Sequence, residues 1–394
     1  MKSEWKKVPI KDLCIGIYDG PHATPPKSDS GAIFLGIPNF SNGRLDLSNI
    51  RHISENDLPR WTKRVTPQAH DIVFSYEATL NLYAIIPEGF RGCLGRRMAL
   101  MRPDESKVNY KFLYYYMFSC EWREEIERHK VIGSTVDRIP LVSFPSFIVS
   151  LPDMATQRFI ADTLSALDDK IELNNKINDN LERQAQTLYR NQFEIADRTN
   201  LPSGWRLVDF EKVVTISKKT FSPEKESEVE LEHYSIPAFD ETKFPVFESS
   251  KAIKSNKYII DKSCFLISKL NPTIKRVWRP YCLTNHAVCS TEFIVYKAKD
   301  ISMTDYLYSV IDSLSFTDFM CSHVTGSTGS RQRTAPSDTL AFKLVIPTEK
   351  ELQDFQALVS PMYAQMKYNA IENEKLKKLR DALLPKLMNG EIEV

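Results

Sequence analysis

The chain has 394 residues, 42% hydrophobic and 26% charged, a length beyond one ordinary core and a composition that excludes a disordered protein. Lys and Arg total 52 against 51 Asp and Glu, so bulk charge does not announce a polyanion partner and any such site must come from local patches. The stretch MKSEWKKVPIKDL lacks the apolar core of a signal peptide and no run approaches the ~20 apolar residues of a membrane span, which predicts a cytoplasmic protein. Seven scattered cysteines, an odd number, argue against a disulfide framework.

Residues 1–150 read as a first globular domain opened by Trp5. The β-branched and aromatic run Asp71-Ile72-Val73-Phe74-Ser75, bounded by turn residues, predicts a strand. Gly89 to Pro103 holds Arg91, Arg96, Arg97 and Arg102 with no Asp or Glu. Such a loop can neutralise phosphates, or present a guanidinium to a guanine edge in bidentate fashion. A helical stretch over 108–130 carries Phe112-Leu113-Tyr114, and Gly133-Ser134-Thr135 with Arg138 follow. Small polar loops of this kind can offer N–H and hydroxyl groups to phosphate oxygens, an ordinary turn being the plain alternative.

At LPDMATQRFIADTL the pattern turns helical, predicting a first long helix over 151–198. Ile160, Leu164, Leu167, Ile171, Asn174, Asn178, Leu181, Ala185 and Leu188 recur in alternating steps of four and three, a coiled-coil seam.

Residues 199–345 repeat the order. Gly204-Trp205 opens this second domain, and Cys264–Ser268 and Glu292–Tyr296 read as strands. Lys262 to Thr291 contains Lys262, Lys269, Lys275, Arg276 and Arg279 and no carboxylate. Within it Cys282, His286 and Cys289, with Cys264, imitate a metal ligand set, but the spacing matches no common zinc pattern and no metal is expected. A helical stretch over 303–323 carries Tyr306-Leu307-Tyr308; Gly326-Ser327-Thr328 with Arg331 and Arg333 follow. The basic residues do not sit at matching sequence places in the two domains, which suits one scaffold carrying two readers.

Residues 346–394 hold a second long helix and a tail. Its seam is the first one shifted by 195: Phe355, Val359, Met362, Met366, Asn369, Asn373, Leu376, Arg380 and Leu383. An amide at a seam position costs stability unless it meets a partner, and so fixes register. Antiparallel packing sets Asn174 against Asn373 and Asn178 against Asn369. A parallel pairing also matches Asn with Asn, but a single chain that runs out along one helix, builds a domain and returns along the other favours the antiparallel form. The expected fold is therefore α+β: two domains, each with a mostly antiparallel, partly curled sheet, separated by two long helices packed as an antiparallel coiled coil, with a pseudo-two-fold internal repeat.

The helix start marked by Leu151, Pro152 and Gln157, the Asn-rich helix KIELNNKINDNLERQAQTLYRNQF and the ending LKKLRDALLPKLMNGEIEV resemble the specificity subunit of Type I restriction-modification systems over essentially the whole chain. The second helix start, Ile346-Pro347, departs by placing Gln353 one position later. The resemblance implies a non-catalytic reader of double-stranded DNA, with two target-recognition domains each reading half of a split, asymmetric site. It also implies two modification subunits that carry S-adenosylmethionine and methylate adenines, and in some systems restriction subunits with the ATP- and Mg-dependent motor and nuclease. No cofactor is expected in this chain.

Enzyme readings find little support. Asn271-Pro272-Thr273-Ile274 lacks the second Pro and the aromatic of an adenine methyltransferase tetrapeptide, Gly89-Phe90-Arg91-Gly92-Cys93-Leu94-Gly95 is a loose glycine pattern, and no G-x4-G-K-[ST] loop occurs. Asp240, Glu241 and Lys243 read as a charged turn before Phe244-Pro245. A coiled-coil adaptor binding protein partners is the alternative of a different class. The candidate DNA-contacting residues are thus Arg91, Arg96, Arg97, Ser134, Thr135, Arg138, Lys269, Lys275, Arg276, Arg279, Ser327, Thr328, Arg331 and Arg333.

Overall fold

In the computed structural model, which describes residues 5–133, 136–195, 199–225, 227–326 and 332–392, the run Ile72–Ser75 is a strand buried at every position. It pairs antiparallel with Met98–Pro103, Val73 opposite Leu100, and Cys14–Asp19 and Tyr83–Ile85 complete a four-stranded sheet. Ile72, Phe74 and Met101 face a cluster built on Phe112, Tyr116 and Trp122, while Val73 and Leu100 face Leu35, Ile86 and Leu94. A strand covered on both faces needs an unbroken apolar run rather than alternation. The second cover is a smaller sheet ordered Arg51–Ile53, Ala32–Leu35, Gly92–Leu94, in which the last two strands run parallel. Gly95 admits the close approach beyond it, since a Cβ there would lie 2.3 Å from the Leu35 carbonyl oxygen.

The chain divides into two compact units, Met1–Ile171 with Glu374–Val394, and Glu172–Asn373. The second repeats the layers of the first. Cys264–Ser268 pairs with Phe293–Ala298, flanked by Val214–Ile216 and Val277–Trp278. Phe265, Ile267 and Tyr296 face the helices, and Leu266, Phe293 and Val295 face a five-stranded sheet in which Glu230–Tyr234 and Ala287–Ser290 run parallel. Each domain thus holds two facing sheets with one parallel pair rather than one curled antiparallel sheet. Alternate residues of the same short run serve both layers.

The helical stretches expected over 108–130 and 303–323 are each two helices, Tyr110–Tyr116 with Cys120–His129, and Thr304–Ile311 with Leu314–Ser322. The break falls at a serine in both: the Ser119 and Ser313 hydroxyls accept from the Trp122 and Phe316 backbone N–H groups and cap the second helix. A two-stranded ribbon closes each domain, Lys6–Pro9 with Ile148–Leu151 and Arg206–Asp209 with Lys343–Ile346.

The long helices are Met154–Phe193 and Glu349–Met388, of 40 residues each, the second continuing through Pro361 despite the missing N–H there. In the first unit Ile160 and Leu164 share a core with Leu387 and Met388, and Arg380 meets Asp168 at 2.7 Å. In the second unit the Asn174 amide donates to Asn373 at 2.9 Å and the Asn369 amide to Asn178 at 2.8 Å. Ala185, Tyr189 and Phe193 pack there with Val359 and Phe355. Numbers rising on one helix against numbers falling on the other make both pairings antiparallel, and the asparagines match as their spacing predicts. The helix starts differ. Gln157 is buried, accepting from the Asn109 N–H and donating to the Pro152 carbonyl, whereas Gln353 is exposed and bonds Glu349. The second start uses Thr348 and Glu351 as a reciprocal capping pair, Glu351 also accepting from the Trp205 indole at 2.7 Å.

Candidate nucleic-acid interface

In the first unit the chain leaving strand Ile72–Ser75 is held by two other segments. The Tyr76 N–H donates to the Arg97 carbonyl at 3.0 Å, the Ile139 N–H to the Tyr76 carbonyl at 2.7 Å, and Glu77 bridges Arg138. The second unit builds the same junction beyond Cys264–Ser268. The Lys269 N–H donates to the Glu292 carbonyl at 2.9 Å, the Thr334 N–H to the Lys269 carbonyl at 3.1 Å, and Leu270 bridges Arg333. Backbone position therefore equates Tyr76 with Lys269, Glu77 with Leu270, Arg97 with Glu292, and Arg138 with Arg333.

The side chains at these equivalent places differ. Arg97, in left-handed backbone at φ 66, sets its Nε 3.0 Å from Glu77 Oε1. At the matching position Glu292 takes a two-pronged contact from Arg333, Nε to Oε2 at 3.0 Å and Nη2 to Oε1 at 3.1 Å. The charge is reversed at one backbone site while an arginine–carboxylate pair survives at the junction. Hydrogen bonding to Glu292 holds the Arg333 guanidinium above its ordinary pKa. Arg96 and Arg138 are exposed beside the first pair, and Lys269 is half-buried at the second.

Paired residues bracket each Gly-Ser-Thr run: Val131 with Arg138, and Val324 and Thr325 with Thr334 and Arg333. Ser134, Thr135, Ser327, Thr328 and Arg331 lie outside the described residues.

The remaining candidates lie elsewhere. Arg91 is exposed and pairs with Glu55, which its hydrogen bond holds below the usual carboxylate range. Arg102 sets Nε and Nη2 on Asp71, each at 2.8 Å. The stretch Lys262 to Thr291, free of carboxylates along the chain, meets them in space. Arg276, 9% exposed, grips Asp240 at 2.6 and 2.8 Å. Lys275 bonds Asp312, and Arg279 pairs with Asp305 while lying 5.2 Å from the Tyr363 ring. Asp240 belongs to a helix, Ile236–Thr242, rather than to the charged turn expected from sequence. In this arrangement Lys275, Arg276 and Arg279 hold the domain together, so the stretch is not the unpaired positive loop its composition suggests.

Burial raises Asp312 from the usual 3.8 to about 6, outweighing the opposing influence of Lys275. A carboxyl raised in the fold favours folding most below its unfolded value, and that contribution is lost as pH rises through about 6. Asp312→Asn should remove this dependence, so the stability difference between wild type and variant is expected to drift by on the order of 3 kcal/mol between pH 4 and 7. Urea unfolding across that range measures it; a constant difference sinks the assignment.

Sequence reasoning passed over Glu232. Fully buried, it accepts from the Tyr234 hydroxyl at 2.6 Å, the Leu283 N–H at 3.0 Å and the Thr284 N–H at 2.7 Å. The strand Glu230–Tyr234 carries two glutamates, one exposed and one buried, and nothing local tells them apart.

Cys264, Cys282 and Cys289 do share one apolar cluster, where burial pushes the Cys282 thiol up to about 12; His286 is exposed. Among the described residues no three His, Cys, Asp or Glu side chains are grouped to hold a metal, and no helix is long and apolar enough to cross a membrane.

Residues 2–183 match the profile of the Type I restriction modification DNA specificity domain. The chain is similar to the Type I restriction enzyme HindI specificity subunit of Haemophilus influenzae, 24% identical with 99% of this chain and 100% of that one covered. It is similar also to the MjaIX specificity subunit of Methanocaldococcus jannaschii, 24% identical over 87% of this chain and 82% of that one. In fold it resembles the crystal structure of the Type I restriction-modification S subunit from M. genitalium, with a TM-score of 0.57, 16% identity, and 97% and 96% of the two chains covered. The paired long helices and the repeated domain thus accompany a likeness to Type I restriction-modification specificity subunits that runs from end to end of the chain.

Proposed function

We infer that this chain is the DNA sequence-recognition subunit of a Type I restriction-modification complex, each domain reading one half of a bipartite, asymmetric target. The observation that carries this reading is the junction found in both units: one backbone arrangement, four equivalent positions, and different side chains at three of them. Matching junctions with unlike polar groups are what reading two unlike half-sites requires, because discrimination comes from donor and acceptor patterns at base edges. The chain itself is non-catalytic in this reading. Two modification subunits supply S-adenosylmethionine and adenine methylation, restriction subunits supply the ATP- and Mg-dependent steps, and the complex works in the cytoplasm.

Co-expression with a methyltransferase subunit encoded alongside, followed by long-read mapping of methylated adenines, tests the reading. A split motif with two fixed halves is expected; a methylome without one refutes it. Two narrower outcomes follow. Arg138→Ala, at an exposed position, should weaken DNA binding by the complex and make the slope of log K against log salt shallower by up to about 1. Inserting one heptad at the same level of both 40-residue helices preserves the seam and adds ~10 Å of helix, so the spacer between half-sites should lengthen by about three base pairs. A changed half-site with an unchanged spacer would refute that ruler.

A further inference from the structure

We propose that Glu77 and Glu292 are positioning residues for base reading: each orients one arginine, Arg97 or Arg333, toward a base edge and keeps it from acting as a general phosphate clamp. This rests on the reading just given. The two carboxylates come from non-equivalent backbone positions, one from the segment beyond the central strand and one from the turn before its neighbour. Yet both arrive at the same result. Arg97 and Arg333 side chains are 42% and 43% exposed, and each leans on a carboxylate 29% exposed. A surface ion pair of that kind contributes little to stability, so stability does not explain its presence in both units.

Recognition does explain it. An arginine reads guanine through two parallel N–H groups whose direction matters, and a long side chain must be held still to present them. Contact through Nε, joined at Arg333 by Nη2, fixes the guanidinium plane. The same carboxylate lowers the local charge by one in each junction: Glu77 stands among Arg96, Arg97 and Arg138, and Glu292 between Lys269 and Arg333. A site with its positive charge reduced in this way gains less from an arbitrary phosphate, whose attraction is electrostatic and blind to sequence. A base edge that satisfies the arginine's donors keeps its full benefit. The carboxylate repels a misplaced phosphate and so sharpens the difference between right and wrong DNA.

The test uses the full chain assembled with its modification subunits. Glu77→Gln and Glu292→Gln keep size and remove charge. Each is expected to raise affinity for random-sequence duplex several-fold, to steepen the salt slope by up to about 1, and to lose about ten-fold discrimination at a base of one half-site only. In the methylation map that loss reads as one degenerate position, in different halves for the two variants, so the untouched half certifies folding. Glu77→Asp and Glu292→Asp should restore part of the discrimination. Unchanged discrimination in both halves overturns the proposal, whatever the slope does. A wild-type complex that shows no split motif overturns the reading beneath it instead, and the two failures are told apart by the wild-type map alone.

Discussion

Replacing Arg380 with alanine is expected to destabilise the unit formed by the N-terminal domain and its helix segments by about 3–5 kcal/mol, the usual consequence of stranding one member of a buried ion pair. Asp168 is 8% exposed; its Oδ1 accepts from Arg380 at 2.7 Å and its Oδ2 from the Tyr115 hydroxyl at 2.7 Å. Without Arg380 the carboxylate keeps one neutral donor in an apolar setting. Removing both charges together, Asp168→Leu with Arg380→Met, should recover most of the loss, because a buried pair is often no more stable than apolar groups of its size. Urea midpoints and Tm of the three variants decide the matter. A single variant within about 0.5 kcal/mol of wild type would show the pair to be an ordinary surface contact.

Glu232→Ala is the second substitution with a large expected effect. It leaves the Leu283 and Thr284 N–H groups and the Tyr234 hydroxyl without their acceptor at a fully buried position. Each orphaned buried donor costs about 1–3 kcal/mol, so a combined loss of roughly 3–6 kcal/mol follows from the same principle. Glu232→Gln retains shape and one carbonyl and should lose about half as much. Amide exchange separates the two outcomes: protection at Leu283 and Thr284 is expected to collapse in the alanine variant and to fall only partly in the glutamine variant. Unaltered protection in the alanine variant would mean that other contacts fix this segment.

The two substitutions also mark where sequence stops being legible. The seam, its asparagines and its direction are readable because a coiled coil writes its contacts at a fixed period along each helix. Arg380 stands out as the one charged residue in that register. Its partner does not, because Asp168 lies one step off the seam and 212 residues away in the chain. In the second unit the corresponding contact exchanges its chemistry: the Ser309 hydroxyl meets the Tyr363 hydroxyl at 3.0 Å, the phenol now coming from the long helix and the smaller group from the short one. Tyr363 lies 195 residues after Asp168 and Ser309 lies 194 after Tyr115, so position nearly repeats while residue type does not, and pattern matching alone overlooks it.

The site fared similarly. A window free of carboxylates from Lys262 to Thr291 marks a basic loop only if none arrives from elsewhere, and Asp240, Asp305 and Asp312 all do. Individual residues of the junction, Arg97, Arg138, Lys269 and Arg333, were legible as basic or loop-borne. Their convergence was not, because it depends on single β-bridges such as Glu77 to Arg138 and Leu270 to Arg333, which no local pattern encodes. Arg138 and Arg333, 195 residues apart like the seam positions, occupy one structural place, whereas the other basic residues of the junction have no basic counterpart.

The ribbons that close the domains carry a consequence for inheritance. Lys6 pairs with Leu151 and Arg206 with Ile346, so each domain begins and finishes on adjacent strands, immediately before a long helix starts. Everything between enters and leaves at one place, while Tyr115 and Ser309 still tie each domain to a long helix. On the function proposed above, exchange of one such domain changes one half-site and leaves the other as it was.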